Sequence, residues 1–589
     1  MSRARVSEPA VAGAFLLASV LVYARLWAAP GRRYLVNGGQ DQHQWEWFFA
    51  VTARAVVHLD DPLFTHLQNA PLGVNLMANT VMLGVSIPLA PVTLAFGPSA
   101  TWAVVLTGGL ASTGFAWYRL LHRRLGRSRP AAAIGGGLCA FAPAVVSHAN
   151  AHPNFVVLAV IPLIVDRLLA LWRGERPVRD GVLLGLLVTY QVFLGEEALL
   201  LAATGLLVFG LAYAAARPEA LRAAARPLLT GLGVAAALSL ALTIHPLLQQ
   251  FTGPQSYRSL LHGPSGNDLM ALPALAERSL GGPSTVGPVA ASTTEQNAFF
   301  GWPLLVLVVV LVIWMRRQPA ALALGVVALV SAVLSLGPEI IVRGEGTGIA
   351  GPWLLLSRLP LYESVLESRM AMICVPAMAI LIATATDQVA GVARAAPWRA
   401  APWRAAPLRM VWGIVLVQAL LPIAPRPLLA EDRPATPAFF TEGHWRAYVG
   451  GGGGSVLVVP PPDAANAAAL RWQVDAGLGF PIVEGYFVGP YGPDRTGVYG
   501  AVPRPTSSLL REVADSGRVP ALTAAERATA RADLRFWRAD AVVLGPHPRR
   551  EALRTTVEGL LGPGRDVGGV RAWDVRPITG RPPERKGSG

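Results

Sequence analysis

The stretch Arg119-Leu-Leu-His-Arg-Arg-Leu-Gly-Arg-Ser-Arg129 places five arginines between two apolar segments. Further basic connections lie between segments long enough to cross a bilayer, at Arg167–Arg179, Arg217–Arg226, Arg316–Arg317 and Arg394–Arg409. The connections that alternate with them are acidic and polar. Because Lys and Arg are retained on the cytoplasmic side of a membrane, this alternation predicts a polytopic protein whose basic loops face the cytoplasm.

The bulk composition agrees with a membrane protein. The chain has 589 residues, 53% of them hydrophobic, and a mean hydropathy of +0.44. Its formal charge of +14 is concentrated in the short loops, which indicates topology and attraction to anionic membrane lipids and argues against nucleic acid as a partner. Both cysteines, Cys139 and Cys374, fall inside predicted spans, so the sequence excludes a disulfide framework and a cysteine metal site.

We predict a mainly α-helical protein of the cytoplasmic membrane with 11 spans, its N-terminus inside and its C-terminus outside. The first span, Pro9–Ala28, is expected to be an uncleaved helix. The other ten are Ala100–Leu120, Ala131–Ser147, Phe155–Trp172, Gly181–Gly195, Ala198–Ala215, Pro227–Leu247, Trp302–Met315, Ala320–Val342, Met370–Val392 and Met410–Ile423. The apolar piece Val81–Phe96 contains two prolines, and counting it as a span would put the five arginines outside. We therefore interpret it as interfacial or re-entrant.

The composition changes after Glu431, where positive and negative residues nearly balance and short apolar strands alternate with helical patterns. The predicted strands are Ser455–Val459, Ala541–Leu544 and Val570–Val575, and the predicted helices are Asn466–Val474, Thr523–Asp540 and Arg549–Leu561. Residues 1–429 are thus predicted to form a transmembrane domain with outer loops 29–99, 249–301 and 343–369. Residues 430–589 are predicted to form a small extracytoplasmic α/β domain.

The first outer loop opens with many polar side chains. It contains the stretches Gly39-Gln-Asp-Gln-His-Gln-Trp-Glu-Trp-Phe, His58-Leu-Asp-Asp-Pro-Leu and Pro71-Leu-Gly-Val-Asn-Leu. A first span followed by a large outer loop that opens with an acid resembles the GT-C superfamily of membrane glycosyltransferases. That superfamily includes protein O-mannosyltransferases and aminoarabinose transferases, and the stretches look like a subgroup found in actinobacterial genomes. The aromatic stretch Trp45–Val57 is expected to lie in the membrane interface as a helix.

The resemblance implies transfer of a sugar from a polyprenyl-phosphate donor to a cell-envelope glycan, lipid or protein at the outer face of the membrane. A loop carboxylate would remove the acceptor proton. Asp41 matches that position, and Glu46 is a candidate for a second acid or a metal ligand. Alternatively, both residues solvate the loop or cap the interfacial helix. A divalent metal, Mg²⁺ or Mn²⁺, is a candidate cofactor, and no cofactor is certain.

Two further outer turns carry candidate binding groups. Members of the superfamily often have an acid in the second outer turn, but here His148-Ala-Asn-Ala-His152 has none, which argues against a metal-assisted mechanism. The two histidines are candidates for binding metal or phosphate, although Pro153 predicts that any helix ends there, and an interfacial hydrogen-bonding role is favoured. Glu196 and Glu197 lie between apolar runs, where carboxylates are costly unless they are hydrated, paired or metal-bound. One of them either faces a cavity as a substrate or metal ligand, or both lie in a tight outer turn.

Arg369 is an arginine on the outer side, against the general trend of the chain. It is a candidate for clamping the donor phosphate, and the alternative is a salt bridge to Glu363 or Glu367. Arg258 and His262 are weaker candidates for the same role.

Two other functions compete with glycosyl transfer. One is a lipid or small-molecule transporter, although no internal repeat is visible and the acids cluster at the outer ends of spans. The other is a non-catalytic envelope scaffold that acts through the C-terminal domain. Four aromatic residues of that domain are candidates for glycan binding, although core packing is favoured for most of them: Trp472, Tyr486, Phe487 and Tyr491.

Overall fold

The computed structural model describes residues 7–260, 262–263, 265–290, 292–395, 406–450 and 453–581. Most of the basic loop Arg394–Arg409 therefore lies outside the described residues. Four described helices are long and apolar enough to cross a membrane: Pro153–Arg173, Glu196–Ala216, Pro218–Thr252 and Glu367–Val392. Shorter apolar helices cover Glu8–Val22, Trp302–Trp314, Pro319–Leu334 and Pro407–Leu420. The fold is mainly helical, as expected, and the total of 11 spans stays a prediction.

The remaining helices of this part also follow the predicted spans. They are Pro98–Arg119, Arg129–Phe141, Pro143–His148 and Pro177–Val192. The predicted span Ala320–Val342 is too long, because its helix ends at Leu334 and Glu339–Val342 is a strand paired with Glu345–Ala350. The apolar Ile340 and Ile341, which suggested a longer span, belong to that hairpin.

Small residues allow two of these helices to approach closely. Pro177–Val192 packs along Pro218–Thr252. A Cβ atom added to Gly181 would lie 2.5 Å from the carbonyl oxygen of Gly231 on the facing helix. Backbone contact of this kind is common where helices associate without a hydrophobic driving force, as they do in lipid.

The first outer loop contains the helix Gly39–His58. We expected its aromatic residues to lie in the membrane interface, and that interpretation is wrong, since Trp47, Phe48 and Phe49 are fully buried. They are covered by protein, because the helix packs against Pro98–Arg119 on one side and against Ala468–Asp475 on another. The apolar piece Val81–Phe96 forms two short helices, Leu83–Ser86 and Ala90–Phe96, neither of which is long enough to span a bilayer.

The C-terminal part of the chain, residues 430–581, contains a four-stranded sheet. Its strand order is Arg565–Val567, Val570–Asp574, Ala539–Leu544 and Ser455–Val459. The last two strands pair in parallel and the others are antiparallel. The helices of this part are Ala468–Asp475, Pro505–Ser516, Ala524–Phe536 and Arg550–Leu561. Thr523 and Glu526 form a capping box, and the helix that it opens ends at Phe536 and not at Asp540 as predicted.

The C-terminal part is joined to the first outer loop by a strand pair and a buried ion pair. Arg33–Leu35 pairs with Ala430–Asp432, and Arg433 follows directly. The guanidinium of Arg433 binds the Glu46 carboxylate at 2.5 Å, with 1% and 6% of the two side chains exposed. Burial alone would raise the pKa of Glu46, but Arg433 more than offsets this effect and the pKa is lowered. One apolar core runs through both parts, and their division at residue 430 stays a prediction.

Replacing Glu46 by Gln tests this ion pair. The change keeps the side-chain shape but leaves the buried Arg433 charge unpaired, so we expect the free energy of unfolding to fall by about 3–5 kcal/mol. SDS titration of the purified protein, followed by tryptophan fluorescence, measures the change.

Asp432→Asn is the matched control, since it breaks the exposed pair of Arg33 and Asp432 on the same strands and should leave stability unchanged. A Glu46→Gln protein that is as stable as the wild type but lacks activity would restore Glu46 as a catalytic candidate.

Candidate active site

Asp41 lies in the first turn of the helix Gly39–His58 and is 9% exposed. The helix N-terminus stabilises its negative charge. The Tyr486 hydroxyl, from the C-terminal part, donates a hydrogen bond of 2.6 Å to Asp41 Oδ1. A Cβ atom at Gly38 would collide with the carbonyl oxygen of Asn150. Glycine at this position therefore allows the start of the helix to lie against the turn that carries His148 and His152.

The two histidines of that turn are brought together. The helix Pro143–His148 ends at His148, as Pro153 predicted, and the turn then returns His152 to within 3.0 Å, measured between the two Nδ1 atoms. His148 Nε2 lies 2.9 Å from Asn297 Oδ1. Burial lowers the pKa of each imidazole to about 4, so both rings are neutral at neutral pH. Each neutral imidazole keeps one ring nitrogen whose lone pair can bind a ligand.

Arg369 links two carboxylates from separate segments. Its Nη2 lies 2.5 Å from Glu295 Oε1, and its Nη1 lies 2.6 Å from Glu197 Oε2. The guanidinium also stacks on the Phe155 ring at 4.6 Å from the centroid. Burial alone would raise the pKa of Glu295, but Arg369 and the two imidazoles hold it well below its ordinary value. Glu295 therefore stays ionised.

His148, His152 and Glu295 form a cluster that fits a metal ion. One ligand atom from each lies within 4.8 Å of the others. Two neutral imidazoles and a carboxylate suit Zn²⁺ or Mn²⁺ better than Mg²⁺, which prefers an all-oxygen set. The turn His148–His152 lacks the expected acid, and in the sequence this absence argues against a metal. That argument is weakened, because the two histidines and Glu295 together offer three ligand atoms.

The structure separates the other predicted residues from this cluster. Glu46 is engaged by Arg433. Glu196 is half-buried and lies beside the Gln250 side chain. Arg258 is exposed and is held through its backbone amide, which donates to the Arg495 carbonyl oxygen. His262 Nδ1 lies 2.9 Å from the Gly263 carbonyl oxygen. In the described part of the chain, none of these four residues forms a hydrogen bond or an ion pair with Asp41, His148 or His152.

Sequence reasoning missed Glu295, Asn297 and the contact of Tyr486 with Asp41. The alternative role considered for Arg369, a salt bridge to Glu363 or Glu367, named the wrong partners, because its salt bridges are with Glu295 and Glu197. One feature could have drawn attention to Glu295: the polar stretch Ser292-Thr-Thr-Glu-Gln-Asn297 stands directly before an apolar span. The first outer loop likewise begins with a polar, acidic stretch after a span.

No protein-family model matches the sequence, and no curated protein matches it. The structure is similar to the cryo-EM structure of the arabinofuranosyltransferase AftD from Mycobacteria, with a TM-score of 0.55 and 16% sequence identity. That alignment covers 96% of this chain and 40% of AftD, so the chain spans less than half the length of its structural neighbour. A second AftD structure, of a mutant, gives a TM-score of 0.55 at 15% identity over 96% and 41% of the two chains.

The oligosaccharyltransferase AglB from Archaeoglobus fulgidus, in complex with an inhibitory peptide and a dolichol-phosphate, aligns more loosely. Its TM-score is 0.48 and its identity 12%, over 91% of this chain and 69% of AglB. The chain shares its fold with AftD, an arabinofuranosyltransferase, and this agrees with the fold that the resemblance seen in the sequence implied. At this level of identity the comparison establishes the fold, and the activity rests on the site.

Metal binding by the cluster can be tested directly. After treatment with EDTA and reloading with Mn²⁺ or Zn²⁺, we expect His152→Ala to weaken metal affinity by at least about tenfold, since it removes a ligand. Metal content by mass spectrometry and titration calorimetry measure the loss.

The matched control is His58→Ala, at the exposed far end of the helix that carries Asp41. Equal metal binding by the His152→Ala and wild-type proteins would show that the histidines serve only as hydrogen-bonding groups.

Proposed function

We propose that this protein is an inverting membrane glycosyltransferase that uses a polyprenyl-phosphate sugar at the outer face of the cytoplasmic membrane. The GT-C fold supports this class of activity. The observation that carries the proposal is the position of Asp41, a buried carboxylate beside a turn with two neutral histidines. Its charge raises the pKa of the His152 imidazole, although burial dominates and the pKa stays low.

The proposed reaction is a direct displacement. Asp41 accepts the proton of an acceptor hydroxyl while the acceptor oxygen attacks the anomeric carbon of the sugar. The bond between that carbon and the phosphate oxygen breaks, and the polyprenyl phosphate leaves with the bonding electrons. Attack from the face opposite the leaving group inverts the anomeric centre. The acceptor is a glycan, lipid or protein of the cell envelope.

The leaving phosphate needs positive charge beside it. Arg369 offers a planar guanidinium at the mouth of the site, but it already contacts two carboxylates. A divalent cation bound by His148, His152 and Glu295 would add the charge that draws in an anionic phosphate. Arg369 and this cluster are therefore assigned to donor binding, with Glu197 holding the guanidinium in place.

The packing supports the proposal that the candidate site and the basic connection Arg119–Arg129 lie on opposite sides of the membrane. Ser99, in the first turn of Pro98–Arg119, accepts a hydrogen bond from Arg433, the partner of Glu46. Arg124 follows the other end of the same helix and binds Asp166 at 2.5 Å. Twenty-two residues of helix extend about 33 Å, close to the thickness of the hydrocarbon core of a bilayer.

Asp41→Asn tests the catalytic base. Asparagine preserves the shape and can still accept the Tyr486 hydrogen bond, so we expect the fold to survive while the transfer rate falls about a hundredfold to ten-thousandfold. The assay is transfer from radiolabelled polyprenyl-phosphate sugars by membranes with equal protein, and arabinofuranose, the sugar in the name of AftD, is tried first.

Asp60→Asn is the matched control, because Asp60 is exposed beyond the far end of the same helix. Equal rates for Asp41→Asn and wild type would remove Asp41 as the base. Absence of transfer by the wild type with every donor would count against the enzyme itself.

Arg369→Lys tests the donor site. Lysine keeps the positive charge but loses the planar fork, so donor affinity should fall about tenfold or more while the protein stays folded. Equilibrium binding of a labelled polyprenyl phosphate measures the change. Arg358→Lys, an exposed arginine of the neighbouring outer loop, is the control. Unchanged donor binding by Arg369→Lys would leave Arg369 with only its role in the salt bridges.

A further inference from the structure

A hairpin of the C-terminal part lies between two outer loops. Its strands, Val488–Tyr491 and Thr496–Tyr499, pair in antiparallel fashion. The segment 485–500, which contains them, is called the roof segment below. The Val488 amide donates to Asn79 Oδ1 at 2.6 Å, and Asn79 Nδ2 donates to the Val488 carbonyl at 3.0 Å. These two bonds tie one strand of the roof segment to the first outer loop.

The other strand is tied to the outer loop 249–301. The Gly497 amide donates to the Ser259 carbonyl oxygen at 2.5 Å, and the Arg258 amide donates to the Arg495 carbonyl oxygen at 3.0 Å. A Cβ atom at Gly497 would lie 2.7 Å from the Ser259 carbonyl oxygen, so only glycine fits there. The roof segment is therefore held at both edges by loops that also carry residues of the candidate site.

Two tyrosines of the roof segment face the site. Tyr486 is 9% exposed, and its hydroxyl donates to Asp41 Oδ1. Its carbonyl oxygen accepts from Gln44 Nε2 at 3.0 Å, one turn along the helix that carries Asp41. Tyr499 is 47% exposed and lies close enough to Arg369 for that charge to act on its hydroxyl. A ligand can reach the Tyr499 ring from outside.

The hydrogen bond of Tyr486 is of a strong type. Burial, together with the Asp41 charge, raises the pKa of Tyr486 well above its ordinary value, so the phenol keeps its proton. A hydroxyl bonded to a carboxylate at 2.6 Å is charge-assisted and about twice as strong as a neutral pair. Among the described residues, Asp41 Oδ2 receives no hydrogen bond, which leaves it as the oxygen that faces an incoming proton.

We propose that the roof segment covers the candidate site and that Tyr486 is a positioning residue for Asp41. The C-terminal part thereby completes the active site. The catalytic role of Asp41 rests on the function proposed above. The terminal torsion of an aspartate is broad and roughly two-fold. The phenol of Tyr486 fixes this torsion of Asp41 by its hydrogen bond to Oδ1. Asp41 Oδ2 is thereby directed at the acceptor hydroxyl.

Tyr486→Phe removes the hydroxyl and keeps the ring. Because a misplaced catalytic group loses rate more than binding, kcat should fall about tenfold to a hundredfold while the donor KM stays the same. Tyr448→Phe, a half-buried tyrosine of the same C-terminal part, is the control and should match the wild type. In an Asp41→Asn background the Tyr486 substitution should cause no further loss, since the group that it positions is already inactive. An equal loss in both backgrounds, or full activity of Tyr486→Phe, would overturn the positioning role.

A second measurement does not need an active enzyme. A water-soluble carbodiimide with glycine ethyl ester labels accessible carboxylates, and peptide mass spectrometry gives the yield at each residue. Tyr486→Ala should raise labelling of Asp41 several-fold, with the exposed Asp60 as the reference in the same sample. Unchanged labelling of Asp41 would show that the roof segment does not cover the site, whatever the activity of the variant. Increased labelling in a protein that transfers no sugar would support the roof and count only against the proposed reaction.

Discussion

The buried guanidinium of Arg369 is the constraint on which the site depends. A cation that is 12% exposed at the edge of apolar helices is costly unless carboxylates pair with it. The two carboxylates that do so come from distant parts of the chain: Glu197 lies in the first turn of the helix Glu196–Ala216, and Glu295 lies in the loop 249–301. The salt bridge between Arg369 and Glu295 therefore holds the loop 249–301 against the helices. The same loop then carries Glu295 and Asn297 to the histidine turn.

A second buried charge does the same for the first outer loop. Glu46 and Arg433 are almost fully enclosed, so the start of the C-terminal part cannot leave the helix Gly39–His58 without exposing an unpaired ion. Asp41 lies on that helix, five residues before Glu46, and receives its hydrogen bond from Tyr486. The neighbouring acids of the loop thus have different surroundings: Glu46 is enclosed in its ion pair with Arg433, whereas Asp41 keeps one oxygen, Oδ2, that receives no hydrogen bond among the described residues.

Local patterns predicted the fold better than the site. Three helices and three strands of the C-terminal part were predicted within a few residues, because hydrophobic periodicity and capping depend on neighbouring positions. The helix Pro505–Ser516, the strand Arg565–Val567 and the hairpin of the roof segment were not predicted. The helix at Trp45–Val57 was placed correctly in the chain, but it was predicted to lie in the membrane interface and is instead buried in protein. The same aromatic sequence pattern is compatible with a lipid or a protein environment. Glu295 was missed because its partner Arg369 is 74 residues away, and Tyr486 is 445 residues from Asp41. A local sequence pattern does not encode contacts between residues that are so far apart in the chain.

The charges of the site bear on the proposal that a cation and a phosphate bind there together. The candidate site contains three carboxylates, those of Asp41, Glu197 and Glu295, and one guanidinium, that of Arg369, and its two histidines are neutral at neutral pH. Three carboxylates against one guanidinium leave an excess of two negative charges, which repels an anionic donor. Such an excess in a region of low dielectric is stabilised by a divalent cation, for which the two imidazoles and Glu295 already provide ligand atoms. In the proposed function, a cation held by the two imidazoles and Glu295 would therefore offset the negative charge that repels the donor phosphate.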